Sequence, residues 1–516
     1  MKSVLNPRPK ALISALTAMT MLALCGLAWW ARAPLLQGHG RLLVTQPERA
    51  AILDSQGTPL AWSTPELSVW VHLKAFARQK AATPQETPEA MAKLASLLKI
   101  PPDQLAAKLA EPGEAAWLTR HAEVRLASEL QGLSSWGVRI ESAQARHIRP
   151  DAALGSLIGL TDTQGQGIEG LESALQGALA GRSGVERRLN LGWLGSVGIP
   201  VSSTRHVHDG LPQRGQDVRL WIDLAHQQTL SARLEALLKE QDGSQGAILL
   251  VQMDGKVRAV ASLPDLDRGR RDASQPLAAS HAAFAQTWEP GTLLAPLVAS
   301  ASTPGPAGAT QDTAPLPGGL RLPLVPAQAL HDRLASLGLG TRPAVEFPGA
   351  TTGRLRPLAT WRETDHLWMH RGRGVSVTMA QLAQAYVRLI QDDRLATLSL
   401  LQQPGLMPMA PARSAPQALG GRSWSASVHD LLPSQALSLP GGQQALVLTD
   451  LNEGWREGLT PRLSALAVFP AEKPEWILAF TLTRPKERDA AAWVKRSRQF
   501  MNDTLTDLAG LQRPAR

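Results

Sequence analysis

Few side chains in this chain of 516 residues are spaced for covalent or metal chemistry. Ser96-Leu-Leu-Lys99 is the sole literal Ser-x-x-Lys. On a helix that spacing sets a lysine amine one turn beyond a serine hydroxyl, where it could take the proton and release a nucleophile. Here the pair sits among Met91, Leu94, Leu97, Leu98 and Leu105, apolar at helical period. It therefore reads as the outer face of an amphipathic helix, since so short a motif recurs by chance. Gly165-Gln-Gly-Ile-Glu-Gly170 spells G-x-G-x-x-G, but neither a strand before it nor a βαβ unit supports a dinucleotide site, so it reads as a turn. His206-Val-His208-Asp209 could supply metal ligands; without a third His or Glu at ligand spacing it reads as a strand or loop. Thr292 follows Glu289-Pro-Gly291 and carries a hydroxyl that could cap a helix start or attack a carbonyl.

The elements that would position such groups are legible from periodicity and punctuation. Lys2, Arg8 and Lys10 precede an uncharged run from Ala11 to Trp30. At 1.5 Å per residue the run covers about 30 Å, the thickness of a bilayer's hydrocarbon core. Basic residues before it and Trp29-Trp30 at its far end fit an N-in, C-out helix. Ala31-Arg32-Ala33 resembles a signal-peptidase site, but the run exceeds the usual signal-peptide core, which favours an uncleaved anchor. Further on, Thr83–Pro112 reads as helices broken at Pro101-Pro102, and Leu171–Leu179 as a short helix after a glycine-rich turn. Two apolar runs from Gly246 meet at Asp254-Gly255, a hairpin for which a type I′ turn is expected. Strands at Ser464–Phe469 and Trp476–Thr483 precede a closing helix with Trp493, Phe500, Met501, Leu505 and Leu508 on one face. Ala301–Pro326 and Gln402–Gln444, rich in Pro and Gly, read as loops or linkers. Strands at both ends with helices between them imply an α/β or α+β domain on an antiparallel sheet.

Composition bounds the rest. With 44% apolar and 19% charged residues, wholesale disorder is excluded. Lys+Arg exceed Asp+Glu by 53 to 44, a net +9 that suits anionic surroundings. No basic block or nucleic-acid signature occurs, so nucleic acid is not an expected partner. The single Cys25 excludes an intrachain disulfide and any cysteine-built metal site.

Ordered segments together resemble the class B penicillin-binding proteins, membrane-anchored peptidoglycan transpeptidases, and most closely their division-type, FtsI-like branch. Arg49-Ala-Ala-Ile-Leu-Asp54-Ser-Gln-Gly57-Thr-Pro-Leu60-Ala61 resembles the family's R-G-x-I-x-D-R-N-G-x-x-L-A opening, and Gly159 to Glu172 its G-x-x-G-x-E turn. Gly215-Gln-Asp-Val-Arg-Leu-Trp-Ile-Asp223 is similar to G-x-D-V-x-L-T-I-D apart from Trp221, and Glu289-Pro-Gly291 to the tripeptide before the nucleophile. Leu337-Gly-Leu-Gly340 with Phe347-Pro-Gly349, and Val377 to Tyr386, resemble further family stretches, F-G-x-G…P-G-E and V-T-P-x-Q-L-A-x-A-Y. The resemblance implies an α+β architecture: a cytoplasmic tail 1–10, a transmembrane signal-anchor 11–30, a mixed α/β non-catalytic pedestal 31–230, and a transpeptidase-like, serine β-lactamase-like domain 244–512 with an antiparallel sheet and helices.

That family works through three motifs around one pocket, Ser-x-x-Lys, Ser-x-Asn and Lys-[Ser/Thr]-Gly. In the first slot this chain reads Thr292-Leu-Leu-Ala295, a hindered hydroxyl with Ala295 in place of the lysine base. None of the four asparagines, Asn6, Asn190, Asn452 and Asn502, has serine two residues before it, and no lysine is followed by Thr-Gly or Ser-Gly. Thr351-Thr-Gly353 lacks the cation, and the matching slot before the Ser464 strand reads ALVLTDLNEG. Loss of the base alone costs on the order of 10²–10⁴-fold in rate. The expectation is a catalytically silent scaffold in peptidoglycan synthesis or cell division. It would sit in the bacterial inner membrane by one helix, with its bulk in the periplasm. Division or elongation proteins, and peptidoglycan itself, are the expected partners; no cofactor or metal is expected. The alternative is a working D,D-transpeptidase with Thr292 as nucleophile and a base borrowed from His281 or Arg342. A third reading is a carboxylate-peptide sensor without turnover. Trp221, Trp288 and Trp361 read as packing residues, Trp288 beside the former pocket.

Overall fold

The computed structural model describes residues 40–45, 47–162, 164–190, 204–208, 211–265, 281–302, 313–315, 321–362, 364–392, 397–403, 405–407, 423–428, 431–439, 442–452, 460–486 and 489–511. The expected tail 1–10, the membrane helix 11–30, Ala31-Arg32-Ala33 and Asp209 lie outside the described residues. Among the described residues no helix is long and apolar enough to cross a membrane.

Two compact units are present, Met1–Glu48 with Gly181–Gly215, and Arg49–Ala180 with Gln216–Arg516. The first carries a three-stranded antiparallel sheet, with Gly184–Asn190 between Gly40–Thr45 and Thr204–His208. His206 and His208 stand in the last of these strands. Among the described residues no group of three His, Cys, Asp or Glu is placed to hold a metal.

In the second unit, the 14-residue strand Pro59–His72 pairs along most of its length with Val138–Ile148, and with Ala115–Ala122 on its other side. Leu67, Val69 and Val71 alternate inward and pack with Leu94, Leu105, Leu130 and Trp136. The expected helices form as Thr87–Leu98 and Pro102–Leu109, each with proline in its first turn, where a missing N–H is harmless. Lys99 caps the first of them in the left-handed region, φ 54°, and both Ser96 and Lys99 face solvent. The Ser-x-x-Lys is thus a helix end.

Buried charge ties two of the motif segments together. Glu172, with no exposed surface, accepts from Arg49 Nε at 2.6 Å and from Arg146 Nε at 2.7 Å. The Arg49 guanidinium also donates to the carbonyls of Gly165 and Glu172 and to Gln176 Oε1. The G-x-G-x-x-G stretch is therefore a turn whose backbone receives an arginine, as its sequence context implies.

The larger sheet has six antiparallel strands: β1 (Gln245–Gln252), β2 (Val257–Leu263), β3 (Ala436–Ser438), β4 (Gln444–Asn452), β5 (Arg462–Phe469) and β6 (Trp476–Thr483), in spatial order β2-β1-β6-β5-β4-β3. Both faces are buried, so the strands read as near-continuous apolar runs. Ile248, Leu250, Val447, Ala465 and Phe480 face helix α1 (Leu224–Glu240) and the closing helix α2 (Ala490–Leu511), with Trp493, Phe500, Met501, Leu505 and Leu508 buried between. Leu249, Val251, Leu446, Leu448 and Leu466 face the other way, toward the helical layer that contains Thr292.

Two expectations are corrected. Asp254 does not adopt a positive φ, whereas Gly255 does at 86°, and Gly255 N donates to Gln252 O at 2.9 Å. The hairpin therefore turns through three residues with glycine at the left-handed position, not through a two-residue type I′ turn, which needs both central residues left-handed. A side chain at Gly255 would also meet the Thr397 carbonyl at 2.1 Å. The described parts of the two Pro/Gly-rich stretches are packed: Leu322, Val325, Trp424, Val428 and Leu431 are buried, and Trp424 lies edge-on to Tyr386 at 6.1 Å. Scattered large apolar residues, rather than overall composition, set their burial.

Candidate functional site

Thr292 lies in a short 3-10 turn, Gly291–Leu294, that runs into the helix Ala295–Ala299. Two contacts hold the turn from opposite ends. The Tyr386 hydroxyl donates to Leu293 O at 2.6 Å, and Gly291 N donates to Gly372 O at 3.1 Å. Tyr386 is the chain's only tyrosine, and burial pushes its hydroxyl well above the usual range, so it remains a neutral donor. Upstream, Trp288 and Val377 exchange backbone hydrogen bonds, and Glu289 Oε1 accepts from Gly374 N at 2.9 Å.

The opposing wall is β4. Alternation puts Leu446, Leu448 and Asp450 on the face toward Thr292, so one acid ends an aliphatic row. Asp450 Oδ1 accepts from Thr292 N at 3.0 Å and from Thr292 Oγ1 at 3.1 Å; the hydroxyl also lies 2.5 Å from Thr449 O, to which it donates. Gly291 has φ 55°, and a Cβ there would meet the Asp450 carboxylate at 2.0 Å. The glycine of Glu-Pro-Gly is thus what lets the acid approach.

Arg373 completes the cluster, its Nη2 3.1 Å from Asp450 Oδ2 and 3.3 Å from Oδ1. Burial raises the Asp450 carboxyl above the ordinary range, opposed by Arg373 and by the Thr292 hydrogen bonds. Thr292 is 4% exposed and Ala295 1%. An alanine methyl thus stands where the resemblance implies a lysine amine.

The borrowed bases are not at the hydroxyl. His281 packs against Phe284 and Phe347, ring centroids 5.2 and 6.0 Å away, and burial pushes its imidazole down to about 3. Arg342 donates to Phe347 O at 3.4 Å. The Thr292 hydroxyl bonds to neither. Sequence reasoning missed Asp450 and Arg373, since no motif predicts an acid on β4 or an arginine in the Arg371-Gly-Arg373-Gly374 loop. The available signals were the place of ALVLTDLNEG in the third motif's slot and a lone acid in an otherwise apolar run.

A helix-covered antiparallel sheet, with a Glu-Pro-Gly-hydroxyl turn set against its β4 strand, defines a penicillin-binding, transpeptidase-like architecture. The family described as Penicillin-binding Protein dimerisation domain matches residues 44–210. The chain is 25% identical to the probable peptidoglycan D,D-transpeptidase PenA of Neisseria gonorrhoeae, over 87% of this chain and 82% of that protein. It is 25% identical to the peptidoglycan D,D-transpeptidase FtsI of Escherichia coli K12, over 68% of this chain and 63% of that protein. Among solved structures, PBP2 from Helicobacter pylori, in its complex with MreC, superposes with a TM-score of 0.63 at 15% identity, over 91% of this chain and 99% of that one. Residues 44–210 thus carry the penicillin-binding protein dimerisation domain, and most of the chain is similar to peptidoglycan D,D-transpeptidases of the penicillin-binding class.

Proposed function

We propose that the protein is a membrane-tethered, periplasm-facing scaffold of peptidoglycan synthesis or cell division that does not itself cross-link. One observation carries the reading. The amide and hydroxyl that a nucleophile would present to substrate are both engaged, internally, by Asp450 and Thr449. A backbone N–H bonded to a carboxylate cannot also stabilise a developing oxyanion, and a hydroxyl donating to a carbonyl is not activated. Ala295 supplies no base in its place. The apolar run 11–30 supports the tether, and the MreC-bound PBP2 among structural neighbours supports a protein partner in the same kind of assembly. The net +9 suits anionic lipid or wall polymer as surroundings.

One feature favours the second reading, a working D,D-transpeptidase. Asp450 Oδ1 lies 3.1 Å from the Thr292 hydroxyl, within reach of a general base. Incubating the full chain with a fluorescent penicillin separates the two. The scaffold reading expects no covalent band, and a band abolished by Thr292→Ala would sink it. Pull-down from cells should recover a cell-wall synthesis or division protein; recovery of none overturns the partner role.

A further inference from the structure

The excess of positive charge is not spread evenly along this chain. Residues 31–48 and 181–215, the part of the smaller unit beyond the apolar run, hold seven arginines against three acids. That is close to half of the net +9 from about a tenth of the chain. Strand pairing then lines three basic residues up. In the three-stranded sheet Arg41 stands opposite Arg188, and Arg188 opposite His206. Residues directly opposite across strands share a face, and like charges so placed repel. Glu186 is the only acid among the described residues of these strands, and it stands opposite Leu43 and His208 rather than either arginine of the row. Alternation gives the other face Leu42, Val44, Val185, Leu189 and Val207, so the basic row belongs to the polar face. The linear sequence shows no basic block here, because the fold draws the row from three separate segments.

A second, independent observation is the place of this sheet along the chain. Gly40 follows Trp30, the end of the apolar run, by ten positions, and ten extended residues reach at most about 35 Å. A helix across a bilayer at 11–30 therefore holds the sheet within that distance of the lipid headgroups. Repulsion within the row is relieved by an anion set over it. A phosphate, with its charge and several acceptor oxygens, matches two guanidiniums and an imidazole.

We propose that the Arg41–Arg188–His206 row binds the phosphate of an anionic lipid headgroup and so fixes the smaller unit against the bilayer surface. A net-anionic headgroup fits the row, whereas a zwitterionic one brings its own cation to it. The proposal rests on the membrane-tethered reading above, and it asks nothing of the Thr292 region.

Native mass spectrometry of the full chain, released from detergent micelles after addition of phosphatidylglycerol or phosphatidylcholine, tests it. Phosphatidylglycerol should remain as a saturable adduct. Phosphatidylcholine should be retained about tenfold less, the order expected when two surface arginines lose a net anion. Arg188→Gln and Arg41→Gln should each weaken the phosphatidylglycerol adduct about fivefold, and Arg188→Lys should keep most of it. Inorganic phosphate at the lipid's own concentration should leave the adduct in place; displacement would make the row a free-phosphate site and overturn the lipid assignment. Equal retention of the two lipids, an adduct unchanged in Arg188→Gln, or equal loss in Arg188→Gln and Arg188→Lys overturns the proposal. If Arg188→Gln does not fold, Arg41→Gln and the lipid comparison still decide. Release of the chain from membranes by alkaline carbonate would sink the tether alone, because binding in detergent does not depend on it.

Discussion

Two buried acids in this chain have met opposite fates. Glu172 spends both oxygens on Arg49 and Arg146, and Arg49 spends its remaining N–H groups on carbonyls and Gln176. Asp450 meets one arginine and a threonine instead of two arginines. The first cluster joins residues from two family-like segments, the Arg49 opening and the Gly159–Glu172 turn. The second stands where the family's reactive motifs are missing. The first cluster ties two segments of the fold together, and the second engages the amide and hydroxyl of Thr292.

The sharpest way to break that contrast is to remove the pedestal acid. Glu172→Ala leaves two arginines buried without their counter-ion, and breaking a buried pair in this way costs about 3–5 kcal/mol. Urea denaturation should show a loss of that order. A loss below about 1 kcal/mol would mean the Glu172 cluster is no more closed than the Asp450 one.

A second effect is confined to the transpeptidase-like region. His281 is buried neutral, with its value drawn from 6.5 to about 3. The unfolded chain therefore takes up a proton that the folded one refuses, and stability falls as pH drops below 6.5 toward 3. The slope is up to about 1.4 kcal/mol per pH unit, or about 2 kcal/mol between pH 6.5 and 5. Thermal melts across that range should flatten in His281→Gln, whatever that change does to stability at neutral pH.

How much of this was legible follows the physics. The apolar runs of β1, β2, β5 and β6 and the stripe of the closing helix are local patterns, and their elements stand where those patterns put them. The failure of the three motifs could be established by exhaustion, since it needs only residue types and order. Asp450 could not be nominated, because its meaning depends on which face of β4 meets a turn 158 positions earlier. His281 and Arg342 were plausible bases by chemistry alone, and only packing shows that phenylalanines surround the one and a backbone carbonyl occupies the other. Trp424 was hidden by the prolines and glycines around it.

The Asp450 cluster has its own pH signature, opposite in sign to that of His281. A carboxyl raised above 3.8 by burial binds its proton more tightly in the fold. Its contribution to stability is fully present at low pH and declines as pH rises from 3.8 through the raised value. Asp450→Asn keeps the shape and removes the titration, so the variant should gain on the parent protein between pH 4 and pH 7. A difference that stays constant over that range would show that Arg373 compensates the buried charge as fully as two arginines compensate Glu172.

The smallest effect belongs to the pair whose spacing looks most like catalysis. Ser96 is exposed, and Lys99 is a left-handed helix cap whose side chain also faces solvent. Ser96→Ala should change stability by no more than about 0.5 kcal/mol, the usual range for a surface change. It should also leave penicillin labelling as it is in the parent protein. Labelling that followed Ser96 instead of Thr292 would move the reactive centre to the Thr87–Leu98 helix, and the contrast between the Glu172 and Asp450 clusters would have to be redrawn.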